Sequence, residues 1–220
     1  DRWKNRGKGN VYSYIDFIVR AGYDYDHRYL LDLVGTCSGS AFLEQGKKFR
    51  FYPAVSAAWI LSNEAFLEDA SALNLLKLRA SYGVCGYDAR LGYGLDTPNN
   101  GSGGGFIAMI GSSEPGMMQG SYPSYGALPE TDYKANIGLD IRAFEGLEIS
   151  AELFRNHRKN IKVSSSGVYS SILGLGAPYI FNGETLNWGA ELSASWSRTV
   201  GDWSWHLGGT ISYTKDKILE

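Results

Sequence analysis

Apolar and polar residues alternate along this chain in long runs, and the clearest run is Thr131 to Asn156, TDYKANIGLDIRAFEGLEISAELFRN. Tyr133, Ala135, Ile137, Leu139, Ile141 and Ala143 fall on one side. Lys134, Asn136, Gly138, Asp140 and Arg142 fall on the other. Glu145-Gly146 breaks the pattern as a tight turn, and Leu147, Ile149, Ala151 and Leu153 then resume it against Glu148, Ser150 and Glu152. A side-chain period of two, a turn and a second period of two predict an antiparallel hairpin. Its strands exceed the five or six residues usual in soluble sheets, and they are long enough to cross a bilayer at the usual tilt.

The same plan recurs on both sides of this hairpin. Val11 to Tyr25 alternates without a slip, with Ser13, Ile15, Phe17, Val19, Ala21 and Tyr23 on the mostly apolar side. Arg28 to Cys37, Arg50 to Leu61 and Leu75 to Val84 read as three more strands. Pro53 removes a ladder donor and is expected near a strand end or bulge. Ser62-Asn63-Glu64 reads as a helix cap ahead of a short turn. Thr185 to Thr214 forms a last hairpin through Thr199-Val200-Gly201-Asp202. About eight strands result, joined by alternately short and long connections. The long ones, about 38–49, 85–130 and 157–183, are rich in Gly, Ser and Asn and read as loops. Trp59, Trp196, Trp203 and Trp205 cluster near the short turns, as an interfacial aromatic girdle would. The expected fold is all-β: an antiparallel transmembrane β-barrel segment with tight turns on one side and long external loops on the other. A β-sandwich with one wet face also alternates, but strand length and loop asymmetry favour the membrane reading.

Composition narrows this reading. The net charge of −2 gives no footprint for nucleic acid. No apolar run reaches the length of a membrane helix. Aromatic residues make 14% of the chain and glycines number 28, which suits strands that are apolar on one face only. The first residues, DRWKNRGKGN, hold no apolar leader segment, so the chain is expected to be mature or a piece of something longer.

Several ordered segments then carry a resemblance. RYLLDLVGTCSGSAF, FRFYPAVSAAWILSNEAFL, LNLLKLRASYGVCGYD, LPETDYKANIGLDIRAFEGLEISAELFRNHRKNI, ETLNWGAELSASWS and HLGGTISYTKDKI follow one another across nearly the whole chain. In that order they resemble the later barrel strands of SusC-type TonB-dependent transporters. An Asp-Gly-Ser-Ser pattern of that family is replaced here by Cys37-Ser38-Gly39-Ser40. The resemblance implies a 22-stranded barrel with a plugged lumen. It implies an outer-membrane importer of oligosaccharides or peptides, energised by TonB and lidded by a SusD-like surface lipoprotein. The plug domain and the TonB-engaging region are absent from these residues, so neither can be carried onto any position here. Implied partners are that lipoprotein, TonB through the missing N-terminal region, the remaining barrel strands and plug, and membrane lipid with lipopolysaccharide.

The candidate chemistry is weak. His27, His157 and His206 are too scattered for a metal spacing. No catalytic group, cofactor or metal is assigned, and no enzyme activity is expected. Cys37 and Cys85 are expected on opposite faces, as free thiols. Gly101 to Gly105 lacks the flanks of a phosphate loop and reads as flexible external loop. Asp140, Arg142, Glu148, Glu152 and His206 are expected to face the lumen in cross-strand pairs. Tyr87, Tyr93, Phe106, Tyr122 and Tyr125 offer flat faces to cargo or to a lid, with a merely flexible surface loop as the plainer reading. The alternative function is a small outer-membrane barrel, or an adhesive or structural β-domain, without transport. Small inward residues such as Gly83, Gly138, Ser150, Ser193, Gly208 and Ser212 fit a wide or plugged lumen better.

Overall fold

The computed structural model of the chain describes residues 13–43, 46–67, 70, 72–88, 91, 99–109, 112–169 and 176–219, with backbone alone over 99–109 and 112–121. Strands β1 (Tyr14–Tyr25), β2 (Tyr29–Ser40), β3 (Phe49–Ile60), β4 (Leu73–Tyr87), β5 (Asn99–Met109), β6 (Ser112–Ser121), β7 (Glu130–Ala143), β8 (Leu147–Ser164), β9 (Tyr179–Val200) and β10 (Trp203–Ile218) follow in chain order. Eight of them form one antiparallel sheet in the order β1-β2-β3-β4-β7-β8-β9-β10, while β5 and β6 pair separately. Among the described residues β1 and β10 do not pair with each other, so the sheet is an open piece of a barrel wall rather than a small closed barrel.

The register explains why alternation is so regular. Paired residues point to the same face of a sheet, so one row can be followed across all eight strands. Tyr25, Tyr29, Trp59, Leu78, Leu139, Ala151, Leu192 and Ile211 form such a row, apolar at every position. One residue along, Asp24, Leu30, Ala58, Arg79, Gly138, Glu152, Glu191 and Ser212 form the row behind it. The first face is a hydrocarbon-matching surface and the second is wettable. Gly83, Ser150, Ser193 and Gly208 share the second face by the same register. Cys37 pairs with Phe51 on the apolar face, whereas Cys85 pairs with Asp132 on the polar one, and both thiols are free.

Four connections, three of them tight turns and the fourth spanning 61–72, lie at one end of the sheet. Residues 26–28 join β1 to β2, with Asp26 and His27 at positive φ and the Asp24 carboxylate accepting the His27 N–H at 2.9 Å. Residues 144–146 join β7 to β8 with three consecutive positive φ values, ending in Gly146 at +106°. A Cβ on Gly146 would collide with the Ser197 carbonyl oxygen, because that turn leans on β9 and accepts the Ser197 N–H at 3.0 Å. The connection from β3 to β4 opens with a single 3₁₀ turn, Leu61–Asn63, without a side-chain cap. The expected cap at 62–64 is therefore corrected. Asn63 instead donates to the His27 carbonyl, at 2.7 Å, and Glu64 binds ring donors. The register of β3 with β4 stops at Ala54, beside Pro53, where the missing N–H ends one ladder.

Three further corrections concern the long loops. Residues 157–164 and 179–183 are strand, so the loop expected over 157–183 shrinks to 165–178. The stretch 85–130 contains the β5–β6 hairpin, and Gly101 to Gly105 lie within β5 rather than in a loop. The 38–49 loop narrows to 41–48. In each case the ladder continues where neither face selects for apolar residues, so the period-two signal fades although pairing persists.

Candidate functional site

On the polar face an arginine spans three strands. Arg79 leaves β4, passes over Gly138 on β7 and reaches Glu152 on β8. A side chain at 138 would occupy the guanidinium's path, since a Cβ there would lie 2.5 Å from Arg79 Cζ. The guanidinium also donates from Nε to Asp140 Oδ2 at 3.1 Å and from Nη1 to Asn136 Oδ1 at 3.3 Å. Asn136 Nδ2 donates to Glu152 Oε2 at 2.9 Å, and Ser150 Oγ donates to Asp140 Oδ1 at 2.7 Å. Each carboxylate thus has a fixed partner set, the arrangement of a positioned polar surface rather than of a free acid or base.

Three troughs run along this face, one of them, of about 600 Å³, between Arg20, Asp32 and Arg79, and two others holding the remaining polar groups. The first of these two, of about 630 Å³, is lined by Asp32, Arg79, Asn136, Glu152, Asn156 and Glu191 among others. The second, of about 890 Å³, brings together Lys77, Asp140, Arg142, Glu148, Ser150 and His206. Four of the five polar positions singled out from the sequence therefore share one trough, and Glu152 lies in the other. Arg142 and Glu148 are direct cross-strand partners with Nε to Oε1 at 3.1 Å, while Arg20 and Asp32 make a bidentate pair further round the face. Among the described residues no three His, Cys, Asp or Glu side chains converge as metal ligands.

At the end of the sheet opposite the short turns, the long connections are stitched to one another. Leu43, Leu91 and Ala127, from three different connections, bury together against Phe42 and Phe181. Lys162 Nζ donates to the Leu91 carbonyl at 3.3 Å and sits 4.1 Å from the Tyr179 ring centroid. The Ser124 hydroxyl accepts the Tyr179 N–H at 2.8 Å, and Ser165 Oγ donates to the Pro178 carbonyl. Sequence reading missed this cluster. Its only signal is single apolar residues inside polar loops, which no periodicity marks.

Of the aromatic positions singled out from the sequence, Tyr87, Tyr122 and Tyr125 lie at this end. Tyr87 ends β4, exposed. Tyr122 donates its N–H to the Gly176 carbonyl at 3.1 Å, and Tyr125 is 70% exposed beside it in sequence. Phe106 belongs to β5, whose side chains are outside the described residues, as is Tyr93.

An open sheet of long strands with one apolar face, one networked polar face and stitched loops at one end is what comparison with known proteins bears on. The model of the TonB dependent receptor-like β-barrel family matches residues 3–219. The chain belongs to this family. TonB-dependent receptor P26 of Formosa agariphila is 30% identical over 208 residues, covering 93% of this chain and 20% of that protein. TonB-dependent receptor SusC of Bacteroides thetaiotaomicron is 28% identical over 72 residues, 33% of this chain. The solved RagAB peptide importer in its open-open state has the same fold, with a TM-score of 0.82 at 18% identity, over 95% of this chain and 22% of that one. These matches make the chain a segment of an outer-membrane barrel of the TonB-dependent receptor type. It spans about a fifth of the length of the curated receptors it matches over most of its own residues.

Proposed function

We propose that the chain is a wall segment of an outer-membrane active importer of oligosaccharides or peptides, working with TonB and a SusD-like lipoprotein and performing no covalent chemistry itself. The observation that carries this reading is the two-faced sheet, with the connections 26–28, 61–72, 144–146 and 201–202 at one end and the connections 41–48, 88–129 and 165–178 at the other. In that arrangement the short turns lie on the periplasmic side and the connections 41–48, 88–129 and 165–178 lie outside. Asp140, Arg142, Glu148, Glu152 and His206 then face the lumen or plug. Likeness to TonB-dependent receptors and to a peptide importer supports transport, and peptide is the cargo that the importer's name carries.

Tyr87, Tyr93, Phe106, Tyr122 and Tyr125 would meet cargo or the lipoprotein lid through their ring faces. The loop cluster around Leu91 gives this role a rigid base, which lowers the ordering cost of binding. Replacing residues 99–119 by a short linker in the full-length protein tests the assignment. Expected is an unchanged amount of folded barrel with reduced cargo uptake or lid capture. Normal uptake and normal lid association in that variant would overturn the role of the excised hairpin. A cysteine at Tyr125, labelled on intact cells by a membrane-impermeant reagent, checks the external placement independently.

A further inference from the structure

On the polar face of β7, β8, β9 and β10 one residue breaks the pattern. Over 132–142, 148–158, 185–197 and 204–216 that face carries glycine, hydroxyl, amide and charged side chains and one imidazole. The exception is Phe154. Its ring lies over its cross-strand partner Gly189, where an added Cβ would meet ring Cζ at 2.8 Å and Cε1 at 3.1 Å. A phenyl ring on the wettable face forgoes the gain of burial in hydrocarbon that its strand neighbour Leu153 takes on the other side. Cover for a glycine backbone explains where the ring rests. It does not explain the groups set around it. The ring is half-buried and lines the trough of about 630 Å³.

Both rows flanking the ring are polar. Toward the long loops, Lys134, Asn156, Asn187 and Asp216 share one cross-strand row. Asn156 Nδ2 donates to Asn187 Oδ1 at 3.5 Å, and Asn187 Nδ2 donates to Asp216. Toward the short turns, Glu152 and Glu191 face each other across the ladder. Glu152 is held by Arg79 and Asn136. Glu191 is exposed and has no hydrogen-bond or ion-pair partner among the described residues. Each row lies about 7 Å from the row of the ring. A hydroxyl oxygen spans roughly half that distance from the centre of a sugar ring, and a hydrogen bond of about 2.8 Å supplies most of the rest. Main-chain recognition of a peptide needs a strand edge, and β8 and β9 offer none, because each is paired on both sides. A ligand here must be recognised through side chains alone. We propose that Phe154 is a stacking platform for one ring of a neutral oligosaccharide cargo, with Asn156, Asn187 and Glu191 binding its hydroxyls. A pyranose presents C–H groups to an aromatic face and hydroxyls around its rim, and the amides and carboxylate supply both donors and acceptors. The proposal rests on the reading of the chain as importer wall. It goes further by choosing between the two cargo classes and by placing a subsite in the sheet rather than in the loops.

The test titrates the full-length transporter in nanodiscs with neutral hexasaccharides of glucose, mannose, galactose, xylose and fructose, and with a mixed decapeptide pool. Wild type should bind at least one of the hexasaccharides. Phe154→Leu keeps Gly189 covered but removes the aromatic face, and it should weaken that glycan roughly three- to tenfold, the worth of an aromatic contact. Phe154→Trp should restore the affinity. Asn156→Ala leaves the ring in place and should weaken the same glycan, with the amount of heat-modifiable folded barrel unchanged. Wild-type glycan affinity in Phe154→Leu overturns the site. So does a loss of folded barrel in Phe154→Leu together with normal glycan binding by Asn156→Ala, which would leave the ring only its cover of Gly189. Binding of peptides but of no hexasaccharide removes the sugar subsite and leaves the importer reading standing, whereas binding of neither class removes both.

Discussion

At the scale of single residues, facing decides tolerance. Leu139 lies in an unbroken apolar row and Asp140 in the polar row behind it. Leu139→Arg should cost about 2–4 kcal/mol near the bilayer midplane and sharply reduce heat-modifiable folded barrel, while Asp140→Ala should leave assembly intact. Equal losses would show that the two faces are misassigned. Gly138 makes a subtler demand, because Arg79 needs the space above it to reach Glu152. Gly138→Leu should displace the guanidinium and cost on the order of 1 kcal/mol, the range of partly exposed ion pairs. The double variant with Arg79→Ser should cost less than the sum of the singles, since the obstruction then has nothing to obstruct. Strict additivity in urea unfolding of the full-length barrel would refute that explanation.

At the scale of elements, the short-turn end is held by a clasp as well as by turn geometry. Glu64 Oε1 accepts from Trp59 Nε1 at 2.9 Å and from the Tyr29 hydroxyl at 2.8 Å, and Arg28 lies 3.4 Å from Oε2. Trp59 and Tyr29 stack with centroids 6.1 Å apart, so one carboxylate ties the β3–β4 connection to the start of β2. These donors, the indole first, hold the Glu64 carboxyl below the usual carboxylate range. A depressed native value means that its stabilisation is fully present above the unfolded-state pKa. It is lost as pH falls through the lower, folded value. The wild-type barrel should therefore lose stability on acidification over that window, and Glu64→Leu should be less stable at neutral pH with a flatter acid limb. Matching pH profiles for the two proteins would eliminate the clasp.

At the scale of the whole molecule, the governing fact is that β1 and β10 are open edges among the described residues. In lipid each unpaired N–H or C=O costs several kcal/mol, and neither strand carries the prolines or bulges that blunt soluble edges. Residues 1–220 alone are therefore expected to form no stable monomeric barrel. They should aggregate or pair with other strands when refolded in detergent. A cooperative melt of a monomer with β1–β10 pairing detected by cysteine cross-linking would refute this and revive the small-barrel function.

Within the bilayer-facing zone the amino-acid sequence alone determined nearly everything. The two faces contact different media, so each position from Leu139 to Asp140 is selected for one or the other, and the selection is written as a period of two. The same constraint fixed the separate faces of Cys37 and Cys85 and the grouping of Asp140, Arg142, Glu148, Glu152 and His206. Beyond that zone only the tertiary structure decided. The upper parts of β8 and β9 and the whole β5–β6 hairpin stay paired where no medium imposes alternation, so their residues look like loop. The Leu43, Leu91 and Ala127 cluster joins residues far apart in sequence, and Arg79 reaches Glu152 only because β7 intervenes with a glycine. Such contacts depend on which strands become neighbours, and no window of local sequence carries that information.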